Sequence, residues 1–106
     1  MDIEYLQKRI VYFAEQRCKK EGIEINSQLS YIHLTEEVGE IAKQLINKEI
    51  RKDLYDENNL REEICDVILE ALVLANEYGI NNQNLGKSLD EKIDRVYEKH
   101  KIPKQE

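Results

Sequence analysis

A chain of 106 residues, 36% charged and 41% hydrophobic with a formal net charge of −6, fits one modest domain and excludes a simple disordered tail. The acidic balance argues against non-specific binding to nucleic acid or an anionic membrane, although a bound cation can invert the local sign for a phosphate-bearing small molecule. The longest apolar run, Ala71 to Ala75, is too short to span a bilayer, and the opening Met-Asp-Ile-Glu lacks leader character. The expectation is a cytoplasmic protein with Cys18 and Cys65 as reduced thiols.

One proline and four glycines leave few breakers, as in mostly helical structure. A first helix is expected from about Asp2 to Lys20, with Ile3, Leu6, Ile10 and Phe13 at helical spacing. A second begins at Asn26 or Ser27 and runs to about Lys48, with Leu34, Val38, Ile41 and Leu45 as its apolar stripe. Glu49 to Glu57 reads as a short helix or an ordered loop. Asn59 to Glu62 reads as a capping box opening a third helix, which ends at Tyr78 before Gly79. After a loop from Ile80 to Gly86, a second capping box, Ser88 to Glu91, opens a fourth helix through about His100, with Leu89, Ile93 and Val96 facing inward. The plan is a single all-α domain over residues 1–106, a four-to-five-helix bundle with a frayed tail at 101–106. The third helix is apolar almost all round, since Cys65, Ile68, Leu69, Leu72 and Val73 extend its main stripe. Such a helix is buried on nearly all sides, which predicts a homo-oligomer, with a twofold dimer first among the choices.

The chemistry lies in two acidic segments, Glu36-Glu37-Val38-Gly39-Glu40 and Glu63-Ile64-Cys65-Asp66. Spacing alone does not mark them, because i,i+3 acidic pairs also occur at Glu21/Glu24, Asp53/Asp56 and Glu91/Asp94. Position does. Glu37/Glu40 and Glu63/Asp66 sit in mid-helix beside apolar stripes, at the same angular offset of roughly 240–300° from the stripe of each helix. Glu36 lies further round. Packed antiparallel, these helices bring four carboxylates to one cleft, where without a cation they raise one another's pKa values. Oxygen ligands with no Cys or His among them favour Mg²⁺ or Mn²⁺. The plain alternative is two solvated faces salt-bridged to the sixteen Lys and Arg. A di-iron bundle needs Glu-x-x-His on two helices, and neither His33 nor His100 follows a glutamate in that way. His33, one turn before Glu37, is a candidate substrate contact, or more commonly a half-buried histidine. Gly39 costs about 1 kcal/mol in a helix relative to Ala, which suggests a close approach that its missing side chain permits.

These motifs, with 22 residues between them, resemble the EExxE…ExxD signature of the MazG-like nucleotide pyrophosphohydrolases, an all-α superfamily that includes dimeric dUTPases and phosphoribosyl-ATP pyrophosphohydrolases. The similarity runs from about Leu29 through Lys99. The resemblance implies a helical bundle assembling as a homodimer or dimer of dimers. It also implies Mg²⁺-dependent hydrolysis of a nucleoside triphosphate to monophosphate and pyrophosphate, in a house-cleaning role. Glu37, Glu40, Glu63 and Asp66 stand at the metal-ligand positions, and Glu36 where a carboxylate helps bind metal or orients water. Lys92 and Lys99 match a phosphate-contacting pattern on the last helix, in which Val96 replaces an asparagine, and the tryptophan often used for the base is missing. Asn76 and Tyr78 are further candidates for substrate contact. The competing reading is a catalytically silent nucleotide- or protein-binding module of the same fold.

Overall fold

The computed structural model describes residues 2–105 as four helices and, among the described residues, no strand. Helix α1 spans Ile3–Lys20, α2 Ser27–Ile50, α3 Glu57–Glu77 and α4 Asn82–His100. Each start is set by a short polar side chain or its neighbours. Asp2 accepts from the Tyr5 amide at 2.8 Å, Asn26 from Leu29 at 2.8 Å, and Asp56 from Asn58 at 2.9 Å and Asn59 at 3.2 Å. Asp56 therefore starts α3 earlier than the expected Asn59 box. Likewise Asn84 accepts from the Asn81 amide at 2.9 Å, so α4 begins at Asn82 instead of Ser88. The Asn/Gln-rich stretch read as loop is its first two turns.

Two of the ends share one device. Gly22 and Gly79 hold φ of 75° and 73°, and the following amides, Ile23 and Ile80, bond back to Cys18 O and Ala75 O at 2.9 and 3.0 Å. This closes α1 and α3 with left-handed glycines followed by apolar residues. Helix α2 runs on to Ile50, and the connection to α3 is a turn in which Leu54 N–H bonds to Arg51 O at 2.8 Å.

Helices α2 and α3 form the main antiparallel pair, α1 packs on α3, and α4 packs on α1 without approaching α2 or α3. The result is open and flat. Its radius of gyration is 16.7 Å with extents of 42 × 41 × 25 Å, where a compact chain of about 100 residues has roughly 13 Å. Few apolar side chains are fully buried: Cys18, Leu72, Val73 and Leu85, joined by the polar Gln7, Ser30 and Gln44. Leu89, Ile93 and Val96 do not face inward as expected; they are 44–53% exposed, because α4 has no second helix to lie against. On α2, Val38 and Leu45 are also about half exposed, at 50% and 48%. The protein-facing side of α2 instead carries Ser30, Leu34, Glu37, Ile41 and Gln44. None of the described helices is long and apolar enough to cross a membrane.

Candidate active site

The register of the α2–α3 hairpin is pinned near both ends. The Tyr78 hydroxyl donates to Ser27 Oγ at 3.1 Å, and the Asp56 amide donates to Gln44 Oε1 at 3.1 Å. Between these pins, His33 faces Glu70, Glu37 faces Asp66, and Glu40 faces Glu63. Each step of three or four residues up α2 is matched by the same step down α3, which is what an antiparallel pair with a shared helical period produces.

Electrostatically the acidic row is only partly relieved by nearby bases. Burial raises the Glu37 pKa above its ordinary 4.5, and the charges of Asp66, Glu70 and Glu40 push it further. Burial likewise raises Glu63, followed by Glu40 and Asp66, with only Lys43 acting the other way. Glu70 is raised by burial and by Asp66, while His33 and Arg17 pull it back. The Oε2 atom of Glu63 is buried without a hydrogen-bond partner, alone in this respect among the described residues not fully exposed. A buried carboxylate oxygen with nothing donating to it is costly unless a cation completes it. The donor set is all oxygen and suits a hard divalent ion. The carboxylates stand as facing pairs, not as the single converging cluster expected from sequence. Among the described residues no three Asp, Glu, His or Cys side chains already meet at metal-ligand spacing. Glu40 and Asp66 are exposed.

A measurable consequence has a definite sign. Glu37, Glu63 and Glu70 keep protons in the folded chain that the unfolded chain has already released above about pH 4.5. Stability should therefore fall as pH rises from that value through the raised folded-state values. Thermal melts in chelator should show a higher melting temperature near pH 5 than near pH 7.5. Millimolar Mg²⁺ should narrow that gap, since it binds the ionised folded form. A chelated melting temperature that climbs steadily from pH 5 to pH 7.5 would contradict this assignment.

The profile of the MazG nucleotide pyrophosphohydrolase domain matches residues 25–101, a span that holds α2, α3, α4 and both acidic pairs. The chain belongs to the MazG nucleotide pyrophosphohydrolase family. No curated protein and no solved structure matches it. In this MazG domain, Glu36 is exposed and lies outside both facing pairs. Lys92 and Lys99 lie exposed on α4, which the fold does not bring to α2 or α3 within one chain. Asn76 is engaged structurally, its Oδ1 accepting from Asn81 Nδ2 at 2.9 Å in the α3–α4 turn. Gly39 makes no close approach: a Cβ there would meet nothing within 4 Å. The expectation of a neighbour pressed against it does not hold within the chain.

Two further residues, not expected from the sequence, adjoin the acidic row. Arg17 on α1 reaches across to α2, its Nη2 lying 3.0 Å from His33 Nδ1. Guanidinium only donates, so Nδ1 is the acceptor in this contact. Glu70 carries the acidic row one turn beyond Asp66. Its signal was present as a carboxylate seven residues after Glu63 on the same helix face; Arg17 had none.

Proposed function

We propose that the chain hydrolyses a nucleoside triphosphate to the monophosphate and pyrophosphate, using Mg²⁺ or Mn²⁺ held by Glu37, Glu40, Glu63 and Asp66. The observation that carries this reading is the buried, unpartnered Oε2 of Glu63 within two facing carboxylate pairs. A pure interaction module gains nothing from like charges held together in a helix interface. When bound, the metal would neutralise the triphosphate and stabilise charge on the leaving pyrophosphate. Glu36, exposed on α2 and not among these four ligands, takes the proton of the attacking water as its oxygen attacks the α-phosphorus. The bridging bond to the β-phosphate breaks, and pyrophosphate departs. His33, one turn before Glu37 on α2, is a positioning group.

The exposed stripes of α2 and α4 and the flat shape support a homodimer or a dimer of dimers. In such an assembly Lys92 and Lys99 reach the phosphates of a neighbouring protomer's site. A panel of canonical, deoxy- and damaged triphosphates, assayed for pyrophosphate with Mg²⁺ and with chelator, tests the reaction. At least one nucleotide should release pyrophosphate only with metal, and silence across the panel rejects the reading. Sedimentation of the same sample should give twice or four times 12.6 kDa. A 12.6 kDa species that turns over would remove the lysines from the mechanism.

A further inference from the structure

The acidity that argues against nucleic acid is unevenly distributed along the chain. Helix α1 carries five Lys and Arg against two Glu, a net +3, while the remaining residues carry eleven against twenty, a net −9. It also precedes the span matched by the MazG profile, so neither the acidic pairs nor the family match assigns it a role. Buried Gln7 and Cys18 mark its inward side. At about 100° per residue, the arc from roughly 100° to 240° away from Gln7 faces outward. That arc holds four exposed cations, Lys8, Arg9, Lys19 and Lys20, interleaved with Tyr5 and Tyr12 and bordered by Phe13. No carboxylate lies within it. Glu4 and Glu15 fall outside, at roughly 60° and 80°, and Glu4 is turned toward α4, where it accepts from the Gly86 amide.

Three observations distinguish this face from an ordinary solvated one. Its tyrosines are largely open to solvent, Tyr5 at 52% and Tyr12 at 65%. Its cations are unpaired: among the described residues, ion pairs form at Lys87–Glu91 and Lys104–Asp94, and none involves α1. Ring and charge are also presented together, since the Arg9 guanidinium lies 5.6 Å from the Tyr5 ring centroid. A single nucleic-acid strand carries the complementary repeat, a flat base and a phosphate charge in every nucleotide. Tyr5 and Tyr12 stand about 10 Å apart along a helix about 27 Å long, enough for several nucleotides. A duplex stacks its bases inside and withholds them from such rings. An interfacial membrane helix keeps its apolar sector apart from its charges. Here rings and cations share one sector, and it holds no aliphatic side chain.

We propose that the outward face of α1 is a docking surface for single-stranded nucleic acid, with Tyr5 and Tyr12 stacking on bases and Lys8, Arg9, Lys19 and Lys20 contacting phosphates. The surface lies outside the α2–α3 hairpin, and its binding requires neither metal nor turnover. Acidic residues elsewhere in the chain repel the strand and keep the affinity modest. Four phosphate contacts on a single strand give log K a slope of about −2.8 against log salt, which is about 50-fold between 50 and 200 mM.

The full chain, in chelator, is titrated into a fluorescein-labelled strand of about 15 deoxythymidines, alone and paired with its complement, and anisotropy is read at about 50 and 200 mM salt. The single strand should bind more tightly than the duplex and lose about 50-fold across that range. Tyr5→Ala with Tyr12→Ala should weaken it by about fivefold or more for each lost stack and keep the salt slope. Lys19→Gln with Lys20→Gln should reduce the salt effect to about sevenfold. All four side chains are exposed, and each pair of substitutions should leave the melting temperature within a few degrees of the parent. The proposal is overturned if the strand does not bind at the lower salt, if the duplex binds as tightly, or if the tyrosine variant keeps full affinity. Vesicles containing one-quarter phosphatidylserine should not pellet the chain; pelleting that depends on Tyr5 and Tyr12, with the strand unbound, would make the face a lipid surface instead. A change in the sedimentation of the free chain on removing the tyrosines would make it a contact between copies, and would equally reject the proposal.

Discussion

Glu63→Gln should lower metal-dependent pyrophosphate release by a hundredfold or more and leave the melting temperature in chelator unchanged or higher. Loss of partners that merely orient a metal ligand costs roughly 10–100-fold, and Glu63 stands at a ligand position. The stability half of the prediction runs opposite to the usual effect of changing a half-buried residue, because most such substitutions destabilise by about 1 kcal/mol. Here the native side chain is the strained party. Its Oε2 is buried without a donor, and its charge is opposed by Glu40 and Asp66. The amide keeps the shape, removes the charge and can donate to the facing carboxylate. Activity assays and chelated melts on one preparation decide the matter. A variant that loses activity because it melts early would show that Glu63 serves the fold.

Gln7→Leu should destabilise the fold by about 2–4 kcal/mol, the largest effect expected for a single substitution away from the acidic pairs. Gln7 is only 2% exposed, and its amide donates to Leu72 O and Ile80 O, both at 2.9 Å. One side chain of α1 thereby ties down the last turns of α3 and the chain leaving it. Leucine fills the volume yet leaves Ile80 O without a donor, at about 1–3 kcal/mol, and removes the second bond to Leu72 O, which keeps only its helical partner. In a domain of this size the loss corresponds to a melting temperature lower by on the order of 10–20 °C. Gln7→Glu is the sharper companion, since it turns an acceptor toward both carbonyls and should cost more than leucine. If Gln7→Leu melts within a few degrees of the parent while Gln7→Glu does not, volume is the important term and the two bonds are incidental.

Much of the site was readable from the chain because it depends on helical phase. The offset of Glu37/Glu40 and Glu63/Asp66 from their stripes is a property of spacing, and the antiparallel hairpin turned it into facing pairs. What spacing could not reveal was how the stripes are used. Leu89, Ile93 and Val96 have the pattern of a buried face, and periodicity cannot distinguish burial within a chain from an apolar face left exposed. The same holds for Val38 and Leu45. Start sites were misplaced where one polar side chain outcompeted another, as Asp56 did for Asn59 and Asn81 with Asn84 did for Ser88. Gln7 had no signal at all. A glutamine among surface-type residues became the most buried side chain of α1 only because two distant carbonyls lie within its reach.

The antiparallel register also sets which changes of length the site can absorb. Residues added to the turn between Ile50 and Glu57 leave both helices in phase, and the cost of a longer loop grows slowly. One residue added within α2 between Glu40 and Ile50 rotates Glu37 and Glu40 by about 100° and slides them about 1.5 Å along the axis. The facing pairs are then lost although no acidic residue has changed. Seven residues added to each helix return both to within about 20° of the original phase and keep the pairs level. Variation in hairpin length is thus free at the tip and quantised along the stem.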